Sequence, residues 1–443
     1  MSGWTLCIDF GTAFSKAAAA PDDAWEKFDP KRIRPLAIGG ADGGRSPFLL
    51  DSAIFVDDDR ILFGNAAVAR GDALSEQKRM ALKSFKTLLS VSDLDRALNT
   101  APARSIDPHR AFTMRDLIVL YLAYLSQAVE RAVANDAMLT GAGAAAFEFR
   151  YAAPAWRRGD SAGLHSHVMR LFGEADAVRG AVDLSAPGGV SIDAAKQALV
   201  ATRSTSAPAQ MGLIFEATAA AAYTSIGLKV DAPAMIVLDM GAGTTDIAVL
   251  ARAGNRVEEL LDAQVTLKQA GDYIDRVIAN LALEAARLKT TGQQAELWSA
   301  MMRDMRDFKE TLFAEGRASI RHEGKKITIA MKDVTRAKDF RAFETDLADA
   351  YEDALETARR YAVTDGGREI QSVAVGGGAA APFIQAMIRT KPRRGGVKVT
   401  PKPATPDWAH APEFRGNLAP VFPQLAIAIG GALAPREMLA AGA

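Results

Sequence analysis

One pattern occurs twice in this chain of 443 residues, with the two copies 230 residues apart: an apolar run ending in aspartate, a glycine turn, and a second run of small or apolar residues. The first copy runs from Leu6 to Ala20 and turns through Asp9, Gly11 and Thr12. The second runs from Ala234 to Ala251 and turns through Asp239, Gly241, Ala242, Gly243, Thr244 and Thr245. Each reads as strand, tight turn, strand. A separation of half the chain marks two related lobes rather than a short-period solenoid. Glycine lets the backbone N–H groups of a turn approach an oxyanion with no side chain between, so two facing turns can clamp a phosphate chain. An aspartate beside such a turn repels phosphate directly. It fits when a hydrated Mg²⁺, which keeps its waters and takes one or two carboxylates, lies between them.

Composition leaves room for two lobes. At ~150 residues per domain the length suggests two or three domains, and with 49% hydrophobic residues each can bury a core of its own. That excludes a disordered chain or a small disulfide scaffold. Fifty-three basic and 53 acidic residues cancel, so the general basic field that binds nucleic acid or anionic membrane is missing. The single cysteine, Cys7, reads as a core thiol in a reducing compartment. The N-terminus lacks the basic start and longer apolar stretch of a signal peptide, and the longest apolar run, Leu117 to Leu125, falls short of the ~20 residues that span a bilayer. These features predict a soluble, cytoplasmic protein with no nucleic-acid or membrane partner. The chain lacks a Gly-x-x-x-x-Gly-Lys phosphate loop, a His-Glu-x-x-His metal helix and a Gly-x-Ser-x-Gly elbow. Gly141 and Gly143 precede a strand, so they read as a loop and not as a dinucleotide fingerprint.

Between the two turns, Ser52 to Val56 and Arg60 to Phe63 form a hairpin on Asp57, Asp58 and Asp59, read as a solvated turn rather than a metal cluster. Thr113 caps an amphipathic helix reaching Asn135, and Phe147 to Ala153 is a strand stopped by Pro154. His165 and His167 lie two apart on the next helix, hence on different faces, which argues against a shared metal. Small residues fill a helix from Glu216 to Ile226. Further helices are predicted over Asp272 to Lys289, Gln293 to Phe313 and Thr335 to Val363, with a hairpin turning on Glu323, Gly324 and Lys325. Ile370 to Val375 is a buried strand leading into Gly376 to Gly378. The basic stretch from Lys391 to Pro406 has no interleaved aromatics and reads as a surface loop or edge strand.

CIDFGTAFSK, IVLDMGAGTTDIAVL and AVGGGAAAPFI resemble, in order, the first phosphate, second phosphate and adenosine motifs of the actin-like ATPase superfamily. YAAPAW and FEATAAAAYTSIGL resemble segments of the heat-shock protein 70 nucleotide-binding domain. The resemblance runs from Leu6 to about Leu433. It implies an α/β, two-lobed fold with a duplicated ribonuclease H-like core, peripheral subdomains and a central nucleotide cleft. Lobe I would be residues 1–205, with its core in 1–39 and 109–205 and a peripheral subdomain in 40–108. Lobe II would be 206–443, with its core in 206–270 and 344–420, a peripheral subdomain in 271–343, and a C-terminal helix in 421–443 returning to lobe I. The resemblance further implies ATP or ADP bound with Mg²⁺, the ion held through water by Asp9, Glu216 and Asp239. Thr244 would lie near the γ-phosphate and the attacking water, completing the catalytic set. Gly11, Thr12 and Ala13 would line the phosphates from one lobe and Gly241, Ala242, Gly243 and Thr244 from the other. Gly271, Lys309, Gly376, Gly377 and Gly378 would complete the nucleotide pocket. On the residues alone, Glu216 serves equally as a helix cap and Lys309 as a solvated helix residue.

The departures from the chaperone pattern are specific. Ala13 stands where a second threonine is usual, and Val68 where the catalytic lysine aligns. Such a charge is typically worth ~3 to 4 kcal/mol, several hundredfold in rate. Arg70, Lys83 and Lys86 are the available substitutes. Arg306 and Phe313 replace an acid and a serine, and Ala380 replaces an arginine that covers the adenine. Only 12 residues follow Gly431, too few for a peptide-binding domain. The expectation is an ATP-binding, slowly hydrolysing, nucleotide-switched clamp that acts on a protein partner. The alternatives are an actin-like filament former resembling bacterial cell-shape filaments, a non-catalytic nucleotide sensor, and a sugar kinase. The choice between monomer and filament stays open.

Overall fold

Two sheets built to one plan organise the chain. The computed structural model describes residues 3–40, 46–91, 93–140, 147–154, 161–186, 188–204, 207–209, 211–227, 232–253, 256–364, 366–411 and 418–439. In the first sheet, Trp4–Asp9 pairs antiparallel with Phe14–Pro21 and parallel with Phe147–Ala153, which pairs parallel with Gly212–Phe215. In the second, Ala234–Met240 pairs antiparallel with Thr245–Ala253 and parallel with Glu369–Val375, which pairs parallel with Lys398–Lys402. Arg34–Pro35 and Arg256–Glu259 extend the opposite edges in the same way. The duplication visible in the two Asp-x-Gly turns is therefore a duplication of topology. Gly212–Phe215, which the sequence reading assigns to the second lobe, completes the first sheet because its partner strand, Phe147–Ala153, belongs there.

Strand alternation distributes the apolar residues among three cores. Leu6 and Ile8 face the core of lobe I, and Ile236 and Leu238 that of lobe II. From the opposite faces, Cys7 with Met235 and Val237 enters a third core, filled by the helices Glu216–Ala222 and Leu418–Leu433. Glycine permits this close approach: a Cβ on Gly430 would stand 1.8 Å from the Ala219 carbonyl oxygen, and one on Gly431 2.3 Å from Cys7 Sγ. Burial pushes the Cys7 thiol well above its ordinary pKa, which suits an inert core residue.

Helix Met114–Ala134 begins with a capping box in which Thr113 and Asp116 satisfy each other's backbone N–H groups. By length and hydropathy it is sufficient to cross a membrane, which the longest uninterrupted apolar run does not reveal. Here Leu117, Leu120, Tyr121 and Leu125 are buried in the first core, so it serves as a core helix.

Three elements differ from their sequence reading. The helix beginning at Glu216 is α-helical only to Ala222 and continues as a π-helical turn over Tyr223–Gly227. The long helix expected from Thr335 to Val363 is split into Met331–Arg336 and Lys338–Thr364, because Ala337 adopts φ −59°, ψ 135° and leaves the helical region. The hairpin strands are Arg317–His322 and Lys325–Ala330, so its turn is the two residues Glu323 and Gly324. Both have positive φ, 47° and 74°, the geometry that matches the twist of paired strands. Ala53–Val56 and Arg60–Phe63 do form the expected hairpin, and Asp57, Asp58 and Asp59 in its turn pair with Arg70, Arg79 and Arg60. Gly141 and Gly143 lie outside the described residues.

Candidate functional site

The two hairpins place a charged pair at equivalent positions. In lobe I, Asp9 at the end of its strand stands opposite Lys16, and Lys16 Nζ donates to Asp9 Oδ2 at 2.5 Å with both residues buried. In lobe II, the corresponding register sets Asp239 opposite Asp246. Like charges facing across strands are destabilising. Asp246 gains partial compensation from Thr244 Oγ1, which donates at 3.0 Å, and Thr266 Oγ1, at 2.5 Å. The sequence reading singles out neither Lys16 nor Asp246. A lysine interrupting the buried run of small residues after Phe14 is the available signal for the first.

Glu216 is the first residue of its helix, and it does not serve as the N-cap, a position held by Phe215 with no side-chain bond. Its carboxylate instead accepts from Lys86 Nζ. Lys86 arrives on the 3₁₀ segment Phe85–Ser90 and is itself buried. Of the three proposed substitutes for the lysine missing at Val68, Arg70 pairs with Asp57 and Lys83 is exposed, which leaves Lys86 to reach the acids. Val68 itself packs into an apolar cluster with Ala53, Phe55, Leu62 and Ala67.

Electrostatics tie these groups into one site. Burial, with repulsion from Glu216, Asp246 and Asp9 and against the pull of Lys16, lifts the Asp239 carboxyl well above the usual carboxylate range. Burial also raises Glu216, against the pull of Lys86 and with the push of Asp9. Asp246 is raised by burial, and its two threonines draw it back only in part. Burial alone would lower Lys86, but Glu216, Tyr151 and Asp9 more than reverse this, and it remains an ammonium. The acids thus outnumber the cations in a closed space. A set of hard carboxylate oxygens with surplus negative charge fits a divalent cation that keeps its water shell, with Asp9, Glu216 and Asp239 as holders.

The glycine turns meet across this ring. A Cβ on Gly243 would stand 3.2 Å from Thr12 Cγ2 and 3.1 Å from Thr87 Cγ2, so lobe I presses directly on the second turn. The first turn is braced from behind by Ser52, whose Oγ donates to the Gly11 carbonyl at 2.8 Å and whose N–H donates to that of Ala13 at 2.9 Å. The second is braced by helix Gly271–Ala286, where the Gly271 and Asp272 N–H groups donate to the carbonyls of Gly241 and Ala242 at 3.2 and 2.8 Å. Lys309 is half-buried and paired: its Nζ donates to Asp275 Oδ1 at 2.6 Å beside the Gly271 carbonyl.

The glycine run after Glu369–Val375 does more than face a base. Gly376 has φ 83°, and a Cβ there would stand 2.2 Å from Asp239 Oδ1, while one on Gly378 would stand 2.5 Å from Met240 Cγ. The run therefore backs the second aspartate, with Gly377 and Ala380 left exposed. Ala13 is also exposed at the tip of its turn. Arg306 lies over the Phe14 ring at 4.9 Å, and Phe313 packs edge-on against Phe383. Ser84 Oγ donates to Asp272 Oδ2 at 3.2 Å, a hydrogen bond between the peripheral parts of the two lobes.

The sequence model of the MreB/Mbl protein family matches residues 164–405, more than half of the chain. The matched stretch contains Glu216, the second turn, Lys309 and the glycine run. No curated protein matches the chain.

Proposed function

The chain belongs to the MreB/Mbl family of the actin-like ATPase superfamily, and on that premise we propose that it is a nucleotide-controlled, filament-forming ATPase. The observation that carries its nucleotide part is the meeting of two glycine turns, one from each lobe, around Asp9, Glu216 and Asp239, and its filament part is carried by the family match. ATP or ADP would lie between the lobes, its phosphates lined by Gly11, Thr12 and Ala13 from lobe I and by Gly241, Ala242, Gly243 and Thr244 from lobe II. Gly271, Lys309 and the run Gly376 to Gly378 would border the nucleoside.

Mg²⁺, when bound, supplies charge against the phosphate oxygens. The chain's own residues then orient the reaction. Because Thr244 gives its hydroxyl proton to Asp246, its oxygen is left to accept from a water, which fixes that water beside the terminal phosphate. We place the boundary between the lobes within 216–227, where the chain leaves the first sheet. The heat-shock protein 70 reading, a clamp acting on a protein partner, gives way to the filament reading because the family match favours the latter. A non-catalytic sensor is the reading that Val68 favours, and it predicts tight binding without turnover.

Light scattering and sedimentation with MgATP, MgADP and no nucleotide test assembly. Polymer that depends on the nucleotide is expected, and a monomer in every state would overturn the filament reading. Calorimetry on Asp239→Asn tests the cleft separately. Loss of roughly 10- to 100-fold in Mg²⁺-dependent ATP affinity is expected, and unchanged affinity would remove Asp239 from the site.

A further inference from the structure

We propose that Lys86 supplies the positive charge to the terminal phosphate of the bound nucleotide, held for that role from within lobe I. This rests on the proposed nucleotide site. Lys86 is 8% exposed and anchored by Glu216, and an ammonium has three donors, of which one bond to Glu216 uses one. Tyr151, whose buried hydroxyl has no hydrogen-bond partner among the described residues, lies near enough to act on the Lys86 charge. The segment that carries Lys86 also touches the opposite lobe on both sides of it: Ser84 bonds Asp272 at 3.2 Å, and Thr87 abuts Gly243. Asp9 lies on the first sheet and Glu216 directly follows its last strand, so lobe I itself holds Lys86 among the acids, and the contacts of Ser84 and Thr87 steady its segment against the second turn.

In hydrolysis, the water oxygen bonds to the γ-phosphorus as the bond from that phosphorus to the β–γ bridging oxygen breaks. The electron pair of the broken bond stays on ADP, the hydroxyl remains on inorganic phosphate, and the other proton goes to solvent. Negative charge grows on the bridging oxygen, and a preorganised ammonium lowers the barrier most at that moment.

The test compares the full-length wild type with Lys86→Met, Lys86→Gln, Lys86→Arg and Ser84→Ala in single-turnover ATP hydrolysis, ATP and ADP calorimetry, and titration with Mg²⁺ alone. Lys86→Met is expected to slow the chemical step about 100-fold or more, with ADP affinity within about threefold of wild type. Without nucleotide, it is expected to bind Mg²⁺ more tightly, because Glu216 has lost its internal cation. Lys86→Arg should recover part of the rate. Ser84→Ala, which keeps the lysine and loosens the segment that carries it, should slow the step a few-fold and weaken ADP binding by no more than a few-fold. Wild-type rates in Lys86→Met, or in Lys86→Gln if the methionine variant does not fold, would overturn the proposal. A wild type that binds no ATP would instead overturn the nucleotide site on which it rests.

Discussion

Glu259 is a half-buried residue near Asp246 with one carboxylate oxygen satisfied and the other not. Thr218 Oγ1 donates to Oε2 at 2.7 Å, and Oε1 has no partner. Burial, drawn back by Thr218 and reinforced by Asp246, pushes its pKa up to about 7. The folded chain therefore holds this proton more tightly than the unfolded chain, where a glutamate titrates near ~4.3. The stabilising contribution is complete below the unfolded value and is lost as pH rises through about 7. Denaturation at pH 5, 6, 7 and 8 should show wild type losing up to about 3 kcal/mol relative to Glu259→Gln across that range. Parallel pH profiles for the two proteins would contradict the assignment. Lys86 illustrates why such residues escape a reading of the sequence. Asp9 and Asp239 announce themselves by the glycines beside them, whereas the link from Lys86 to Glu216 crosses 130 positions and depends on how a short 3₁₀ segment docks.

Among the elements, helix Leu418–Leu433 carries a disproportionate share of the joint between the lobes, since it fills the core that both sheets share. Its Gly430 lies against the backbone of Glu216–Ala222, where the Ala219 carbonyl leaves a Cβ only 1.8 Å. A backbone oxygen cannot swing aside as a flexible side chain can. Gly430→Ala should therefore cost about 3 kcal/mol, read as a lower denaturation midpoint; a midpoint equal to wild type would mean that the two helices separate without penalty. The strands and turns of the duplicated hairpins are legible in the sequence because alternation and glycine are local signals. The break at Ala337 is not, because alanine is a good helix former and the extended backbone there is a choice of tertiary packing. The π-helical turn after Ala222 is equally silent, since the run of alanines before it suits an ordinary helix.

At the scale of the whole molecule, the contacts that Thr12, Ser84 and Arg306 make across the cleft are individually modest, which suits lobes whose relative position a bound ligand can bias. Thr12 meets Gly243, Ser84 meets Asp272, and Arg306 covers Phe14. The last joins the tip of the first hairpin to helix Thr291–Glu315 of the other lobe, and it uses the arginine that departs from the chaperone pattern. Arg306 also pairs with Glu310 one turn along its own helix at 2.8 Å, which holds the guanidinium in place over the ring. A cation–π contact at a partly exposed site is worth about 0.5–1 kcal/mol. If it acts only on the closed state, Arg306→Ala should speed ADP release about two- to fivefold and leave the rate of hydrolysis of bound ATP unchanged. Stopped-flow displacement of a fluorescent ADP measures the first and single turnover the second. Release at the wild-type rate would mean that the contact persists when the cleft opens, and that the closed state is held by Ser84 and Thr12 instead.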